Sequence, residues 1–175
     1  APAILLAQTG VYWDATAKAE GKDKLTSLVV RFDDKIDSDT VTAADFTVEG
    51  LSPLNAEVFS KGSKNDVYLT LATALVADDE PVVILTGTVS DLAGNSRTGG
   101  TVDAKDKIAP TFTVVLDTAL AKDAEKVKIT VTSTEKISGV PSIKVHNIDG
   151  STISTLSVVV KSSTSWEATF TASSS

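Results

Sequence analysis

The chain has 175 residues, 23 of them acidic and 16 basic, for a formal net charge of −7, and it contains one His and no Cys. A thiol nucleophile, a disulfide framework, a zinc finger and an iron–sulfur site are therefore excluded, and any bound metal must be held by oxygen ligands. The negative charge argues against a nucleic-acid partner, since phosphate neutralisation needs clustered Lys and Arg, and the longest apolar run, residues 3–7, is far shorter than the roughly 20 residues of a membrane span.

Short β-type segments follow one another through the first hundred residues. They occupy residues 3–6, 10–14, 27–32, 46–48, 56–60, 67–71, 81–86 and 101–102. Turn-rich stretches separate them at intervals of about eight to twelve residues, a spacing typical of an antiparallel sandwich. The best helical candidate, residues 40–45, has Thr40 as its candidate N-cap and lasts about one turn. The pattern predicts an all-β fold.

The second part of the chain repeats the order of the first. Its predicted strands are residues 111–116, 126–132, 142–146, 156–161 and 165–172. A shift of about 101 residues places Leu28 and Val30 on Ile129 and Val131, and a shift of about 99 places Val67 on Trp166, which predicts an internal repeat and a core position for Trp166.

The repeat predicts two domains, residues 1–108 and residues 109–175. Nothing in the second domain matches residues 81–102, so on this alignment the second domain lacks the last two strands of the first. Three explanations stay open. The chain is a fragment of a longer array, the second domain is a shorter variant, or a neighbouring subunit supplies the missing strand by β-augmentation.

Two stretches carry a family resemblance. The run Val89-Ser90-Asp91-Leu92-Ala93-Gly94-Asn95, followed by Asp106-Lys107-Ile108-Ala109-Pro110, resembles the repeat junctions of bacterial and archaeal immunoglobulin-like surface domains. Residues 30–36 and 40–48 are similar to domains of surface-layer proteins, large adhesins and the accessory modules of secreted hydrolases. The resemblance implies tandem immunoglobulin-like antiparallel β-sandwiches.

The function implied by this resemblance is structural. It is that of a self-assembling module of a prokaryotic surface-layer protein, placed outside the cell or on its surface, with self-association or neighbouring domains of a longer chain as partners. The alternative is an adhesin, or a carbohydrate-binding accessory domain of a larger secreted protein. We expect no enzyme, because the chain has no Gly-x-Ser-x-Gly elbow, no phosphate-binding loop and no His-centred triad.

The acidic junction is the strongest candidate for a metal site. Asp91, Asn95, Asp103 and Asp106 offer several oxygen ligands, which is the donor set that Ca²⁺ prefers. The sequence therefore predicts calcium at these residues. The competing interpretation is a tight turn, in which Gly94 takes a positive φ and the Asx side chains bond their own backbone, with ordinary surface ion pairs nearby.

Other polar and aromatic groups have structural interpretations. The acidic residues between 33 and 39 lack the EF-hand pattern and predict a solvated loop. His146 lies in a predicted surface strand. Trp13 is a candidate core or junction residue, with sugar binding as the alternative.

Overall fold

The computed structural model describes residues 1–61, 64–146 and 150–172. It divides into two compact units, Ala1–Ala109 (unit 1) and Pro110–Ser175 (unit 2). Both units are built from β-strands, and no described helix has the length and apolar character needed to cross a bilayer. The all-β prediction is confirmed.

Unit 1 is organised around one large sheet. Its strands are β1 (Ile4–Thr9), β2 (Tyr12–Asp14), β3 (Ala19–Gly21), β4 (Ser27–Phe32), β5 (Phe46–Val48), β6 (Asn55–Lys61), β7 (Lys64–Thr70), β8 (Val82–Ser90) and β9 (Ser96–Lys105). Within the described residues, seven of them form a sheet in the order β5-β8-β9-β1-β4-β7-β6, and β2 pairs with β3 in a separate hairpin. Neighbouring strands are antiparallel except β1 and β9, which run parallel.

The core of unit 1 contains side chains from both halves of this sheet. Val30 and Val67 on β4 and β7 share one buried cluster with Phe46 and Val83 on β5 and β8. The two halves of the sheet therefore face each other as layers of a sandwich. Strand β4 is buried along almost its whole length, because the hairpin β2–β3 covers its second face, where Val29 is also buried.

Unit 2 is smaller. Its strands are β10 (Phe112–Leu116), β11 (Lys126–Ser133), β12 (Ile143–His146), β13 (Thr152–Leu156), β14 (Val158–Ser162) and β15 (Ser165–Thr171). They form a sheet in the order β10-β11-β15-β14 and a two-stranded sheet, β12–β13. Trp166, Val131 and Ile143 pack together in the core between these two sheets.

The two units share a strand order and a register. The order β1-β4-β7-β6 corresponds to β10-β11-β15-β14. Paired residues form the rows Ala7–Val30–Val67–Val58 in unit 1 and Val114–Val131–Trp166–Val160 in unit 2. The sequence shifts that align Val30 with Val131 and Val67 with Trp166 thus correspond to equivalent positions in the two sheets.

Two predicted elements differ from the structure. The helical segment 40–45 is two short 3₁₀ helices, Ser38–Thr40 and Ala43–Asp45, so Thr40 ends the first instead of capping a helix. Thr42 precedes the second helix, and its backbone N–H and hydroxyl both donate to Asp45 Oδ2 at 2.7 Å. The single strand predicted at 156–161 is interrupted at Ser157, which separates β13 from β14.

Candidate functional site

Asp91 organises the turn between β8 and β9. Its Oδ1 accepts hydrogen bonds from the backbone N–H groups of Ala93 and Asn95, and its Oδ2 accepts one from the Asn95 side-chain amide, each at 2.9 Å. Gly94 takes a φ of +82°, as the tight-turn interpretation expects. The Asn95 side chain, followed by the two backbone amides, lowers the pKa of the Asp91 carboxyl below its usual range. The turn is therefore held by an ionised carboxylate.

Asp103 and Asp106 lie at the opposite end of the same hairpin. Asp103 pairs in register with Val82, the first residue of β8, whereas Asp91 follows the last residue of that strand. At ~3.3 Å per residue, the two ends are about 25 Å apart. The structure therefore does not bring Asp91 and Asn95 together with Asp103 and Asp106, because a β-hairpin separates residues that lie close in sequence. Calcium binding at either end stays a prediction.

Asp106 has a local structural role within unit 1. Its Oδ1 accepts hydrogen bonds from the hydroxyl of buried Thr9 at 3.0 Å and from the backbone N–H of Ile108 at 2.9 Å. Its Oδ2 accepts one from the Asp78 backbone N–H at 3.3 Å. Asp106 thus ties the segment after β9 to β1 and to the loop before β8.

The acidic loop after β4 packs on the Asp91 turn. Ile36 forms an isolated β-bridge with Asp91, and the Asp37 N–H donates to the Ser90 carbonyl at 2.9 Å. The Asp37 side chain accepts from the Asp39 N–H at 3.1 Å, as an N-cap does at the first 3₁₀ helix. These carboxylates therefore support turns, in agreement with the interpretation as a loop.

A charged network crosses the outer face of the unit 1 sheet. Arg31 Nε lies 3.3 Å from Asp66 Oδ1, and Arg31 Nη2 forms an ion pair with Glu20 on the covering hairpin. The Asp66 side chain is only 4% exposed and that of Arg31 is 19% exposed. The Tyr68 hydroxyl lies 3.4 Å from both Glu20 and Asp66. The network joins β3, β4 and β7 through charges that are largely withdrawn from water.

Aromatic side chains pack beside this network. The ring of Trp13 stacks on Phe59 at a centroid distance of 4.9 Å and lies tilted against Tyr68 at 6.1 Å. Burial, and after it the negative charges of Asp66 and Glu20, raise the pKa of Tyr68 above its usual range, so the hydroxyl keeps its proton. Trp13 therefore uses one ring face for packing within the protein, as the core interpretation expects.

This network was not predicted, although the sequence contains two signals of it. Arg31 interrupts the apolar strand that begins at Ser27, and Asp66 directly precedes the apolar residues of β7. A charged residue of each sign on neighbouring buried strands indicates an ion pair only when the strand register is known. That register, Arg31 opposite Asp66, comes from the structure.

His146 does not belong to a catalytic group among the described residues. It is exposed, and its Nδ1 lies 3.1 Å from the Gly150 carbonyl and 3.3 Å from the Thr152 hydroxyl. In a catalytic triad the His contacts a nucleophile through one ring nitrogen and an orienting carboxylate through the other. The two described contacts of His146 are with a backbone carbonyl and a Thr hydroxyl, both through Nδ1. The contacts are those of a surface residue at the β12–β13 turn.

Unit 2 contains an open apolar cleft. A cavity of about 540 Å³ lies between the β10–β11 edge and β12. Phe112, Val114 and Leu116 line one side and Ile143 and Val145 the other. Apolar side chains predominate in the lining, which also includes Ser142, Lys144 and His146.

Comparison with known proteins identifies matching families in both parts of the chain. Residues 14–113 match a family model described as a bacterial Ig-like domain, and residues 106–175 match a second model with the same description. No curated protein matches the chain.

A solved structure, that of surface layer protein SbsC, domains 1-6, is similar at 18% sequence identity with a TM-score of 0.43. The match covers 90% of this chain and 19% of that one.

Proposed function

Because the chain belongs to the bacterial Ig-like domain family, we propose that it is a non-catalytic structural module of a bacterial cell-surface protein. The observation that carries this proposal is the succession of two Ig-like matches along one chain, each over a unit with its own buried core. The internal contacts are consistent with it, since the carboxylates with described hydrogen bonds support turns and strand packing.

Surface accessibility in the source organism tests the location. We expect antibodies against residues 1–175 to label intact cells, and external protease to remove the signal while a cytosolic marker protein is spared. Labelling that requires cell lysis would contradict the proposal.

The finer proposal is self-assembly into an ordered surface array. It is supported by the exposed apolar residues of unit 2, which offer a surface for lateral contacts. Electron microscopy of the purified chain at increasing concentration, with CaCl₂ or EGTA, should show ordered sheets. A chain that stays monomeric by sedimentation at every concentration, with either addition, would argue against assembly.

The alternative of an adhesin or a carbohydrate-binding module predicts a different result. A monomeric chain that binds members of a polysaccharide panel, and loses that binding in Trp13→Ala, would support it. The stacking of Trp13 on Phe59 favours the structural role, because one ring face is already used within the protein.

A further inference from the structure

The two ends of unit 1 lie on neighbouring strands that run in the same direction. Among the described residues, β1 is the first strand of unit 1, as β10 is of unit 2, and β9 is the last strand before unit 1 ends at Ala109. The pair is parallel, with Ala7 opposite Ala104 and Gln8 opposite Lys105. The chain therefore enters this pair at one end and leaves it at the other.

Tension between these two ends acts on β1 and β9 as a shear load. A pull on the chain before β1 draws that strand backwards along its axis, whereas a pull on the chain after β9 draws that strand forwards. Because the hydrogen bonds between the strands lie across this direction, they carry the load together. Strand β1 is also paired with β4, from Ile4–Phe32 to Thr9–Leu28, so it cannot slide without disrupting a second ladder.

Side chains continue the register of β1 and β9 beyond their last paired residues. Thr9 and Asp106 come next in this register, and the hydroxyl of the fully buried Thr9 donates to Asp106 Oδ1 at 3.0 Å. The Lys107 backbone N–H in turn donates to the Thr9 hydroxyl oxygen at 3.2 Å. These two hydrogen bonds hold the chain at the point where a pull on β9 first arrives.

Two further contacts hold the same segment. Ile108 is buried and lies so close to Gly10 that a Cβ on the glycine would come within 2.8 Å of Ile108 Cγ1. The Ala109 backbone N–H donates to Asp23 Oδ1, between β3 and β4, at 2.8 Å. Tension on the chain after unit 1 must therefore break the contacts of residues 106–109 before it can separate β9 from β1.

We propose that unit 1 is a load-bearing module, in which β1, β9 and residues 106–109 form a mechanical clamp. The clamp lets the unit transmit tension along the chain while it stays folded. Its strength depends on the direction in which β1 and β9 are loaded, so it is distinct from the equilibrium stability of unit 1. The clamp belongs to the fold of this unit and is independent of the cellular location and the self-assembly proposed above.

Constant-force measurements on the full 175-residue chain can load unit 1 in two directions. The chain has no Cys, so pairs of introduced cysteines place the handles. Ala1→Cys with Ala109→Cys loads the clamp in shear, and unfolding should lengthen the tether by about 350 Å, since an extended chain spans up to about 3.6 Å per residue. Glu80→Cys with Lys105→Cys replaces an exposed ion pair and pulls β8 and β9 apart one residue pair at a time.

We expect shear to be the more resistant direction. At the same force, the time to unfolding through residues 1 and 109 should be at least about ten times longer than the time to opening through residues 80 and 105, because forced unfolding follows the rate of the rupture step. In shear that step breaks a whole ladder, whereas separation of β8 from β9 begins with a single residue pair.

Two Thr→Val substitutions separate the clamp from the rest of the sheet. Thr9→Val removes the hydroxyl bonds to Asp106 and Lys107 and should raise the unfolding rate in shear by about fivefold, the effect of losing one or two net hydrogen bonds. Thr88→Val is the matched control, since the Thr88 hydroxyl bonds that of Thr98 at 2.6 Å on the β8–β9 pair, away from the clamp. It should change the rate in shear by less than about twofold.

Asp23→Gly is a second test at an exposed position. The substitution removes the acceptor of the Ala109 N–H, and Gly accepts the φ of +62° at this residue without strain. It should raise the unfolding rate in shear by about twofold to fivefold. An unchanged rate would contradict the role of residues 106–109 in the clamp.

Three other results would overturn the proposal. The first is an unfolding time in shear that is no longer than the opening time of the β8–β9 pair. The second is an equal acceleration in shear by Thr9→Val and Thr88→Val. The third is an equal acceleration by Thr9→Val in both pulling directions, because that result would indicate a general loss of stability.

Discussion

Substitution at the ion pair between Arg31 and Asp66 provides a sharp test of how unit 1 is held together. Arg31→Met leaves the Asp66 carboxylate, 4% exposed, without its guanidinium partner at 3.3 Å. Loss of one partner of a buried pair typically costs 3–5 kcal/mol, and we expect about 3 kcal/mol here because Arg31 keeps some contact with water. Asp66→Leu should cost less, about 1–2 kcal/mol, since Arg31 retains its ion pair with Glu20.

The double substitution distinguishes a buried pair from two independent contacts. With both charges replaced by apolar side chains, no uncompensated charge is left between β4 and β7, and such replacements are often neutral or stabilising. Glu20 also loses its ion pair with Arg31, but its side chain is 29% exposed and can be hydrated. We therefore expect Arg31→Met with Asp66→Leu to be more stable than Arg31→Met alone. Urea unfolding followed by Trp13 fluorescence, in a Trp166→Phe background, measures the free energy of unit 1, because Trp13 packs beside the pair.

An exposed ion pair supplies the control. Lys105 and Glu80 lie 3.3 Å apart with side chains 63% and 50% exposed, so Lys105→Met should cost less than about 1 kcal/mol. The reasoning is refuted if Arg31→Met costs no more than this control. It is also refuted if the costs of the two single substitutions simply add in the double variant.

Three further predictions concern the Asp91 turn, the unit 2 core and calcium. Asp91→Asn should lower the free energy of unfolding at pH 7. Because the pKa of Asp91 is lowered in the folded protein, its contribution to stability is present above the unfolded pKa of about 3.9 and is lost as the pH falls through the folded pKa. The urea midpoints of the wild-type and variant proteins should therefore converge in acid. Trp166→Ala should destabilise unit 2 by about 3–5 kcal/mol in denaturant, whereas Val159→Ala, at an exposed position, should change it by less than about 0.5 kcal/mol. If calcium binds near Asp91 or Asp106, EGTA should lower the melting temperature, and an unchanged melt would remove the calcium prediction.

Two strands with a clear apolar pattern were predicted to the residue. The bounds of Ser27–Phe32 and Phe46–Val48 agree with the sequence pattern, because apolar or β-branched residues make up most of both segments. Ala19–Gly21 was missed, since three residues without an apolar pattern become a strand only through pairing with Tyr12–Asp14. Only residues 101–102 of Ser96–Lys105 were predicted, because polar residues and two Gly hide its alternation.

The candidate site was predictable where it is local and unpredictable where it depends on pairing. The Asp91 turn follows from Asx and Gly chemistry within five residues, and the structure shows the expected hydrogen bonds. The grouping of Asp91 with Asp103 assumed that closeness in sequence means closeness in space. Strand pairing reverses that relation, since the first residue of β8 lies beside Asp103 and its last residue precedes Asp91.

The position of Gly87 shows a further constraint that no pattern reveals. A β-bulge between Leu85 and Thr88 brings Gly87 against the Asp45 side chain, and a Cβ at this position would overlap Asp45 Oδ1. A larger residue at this position would have to displace the Asp45 side chain, which lies some forty residues away in sequence. A single sequence reports the Gly but not the carboxylate that it meets.

The open face of β10 shows most clearly where sequence reasoning ends. A continuous apolar strand such as Phe112–Leu116 predicts burial on both faces, yet every residue of it is exposed. The burial of a strand is decided by the elements that pack on it, and in unit 1 the covering hairpin begins more than seventy residues after β1. The apolar character of β10 thus predicts that it is a strand, whereas its exposure depends on which elements pack against it, as the pairing of β1 with β9 shows for unit 1.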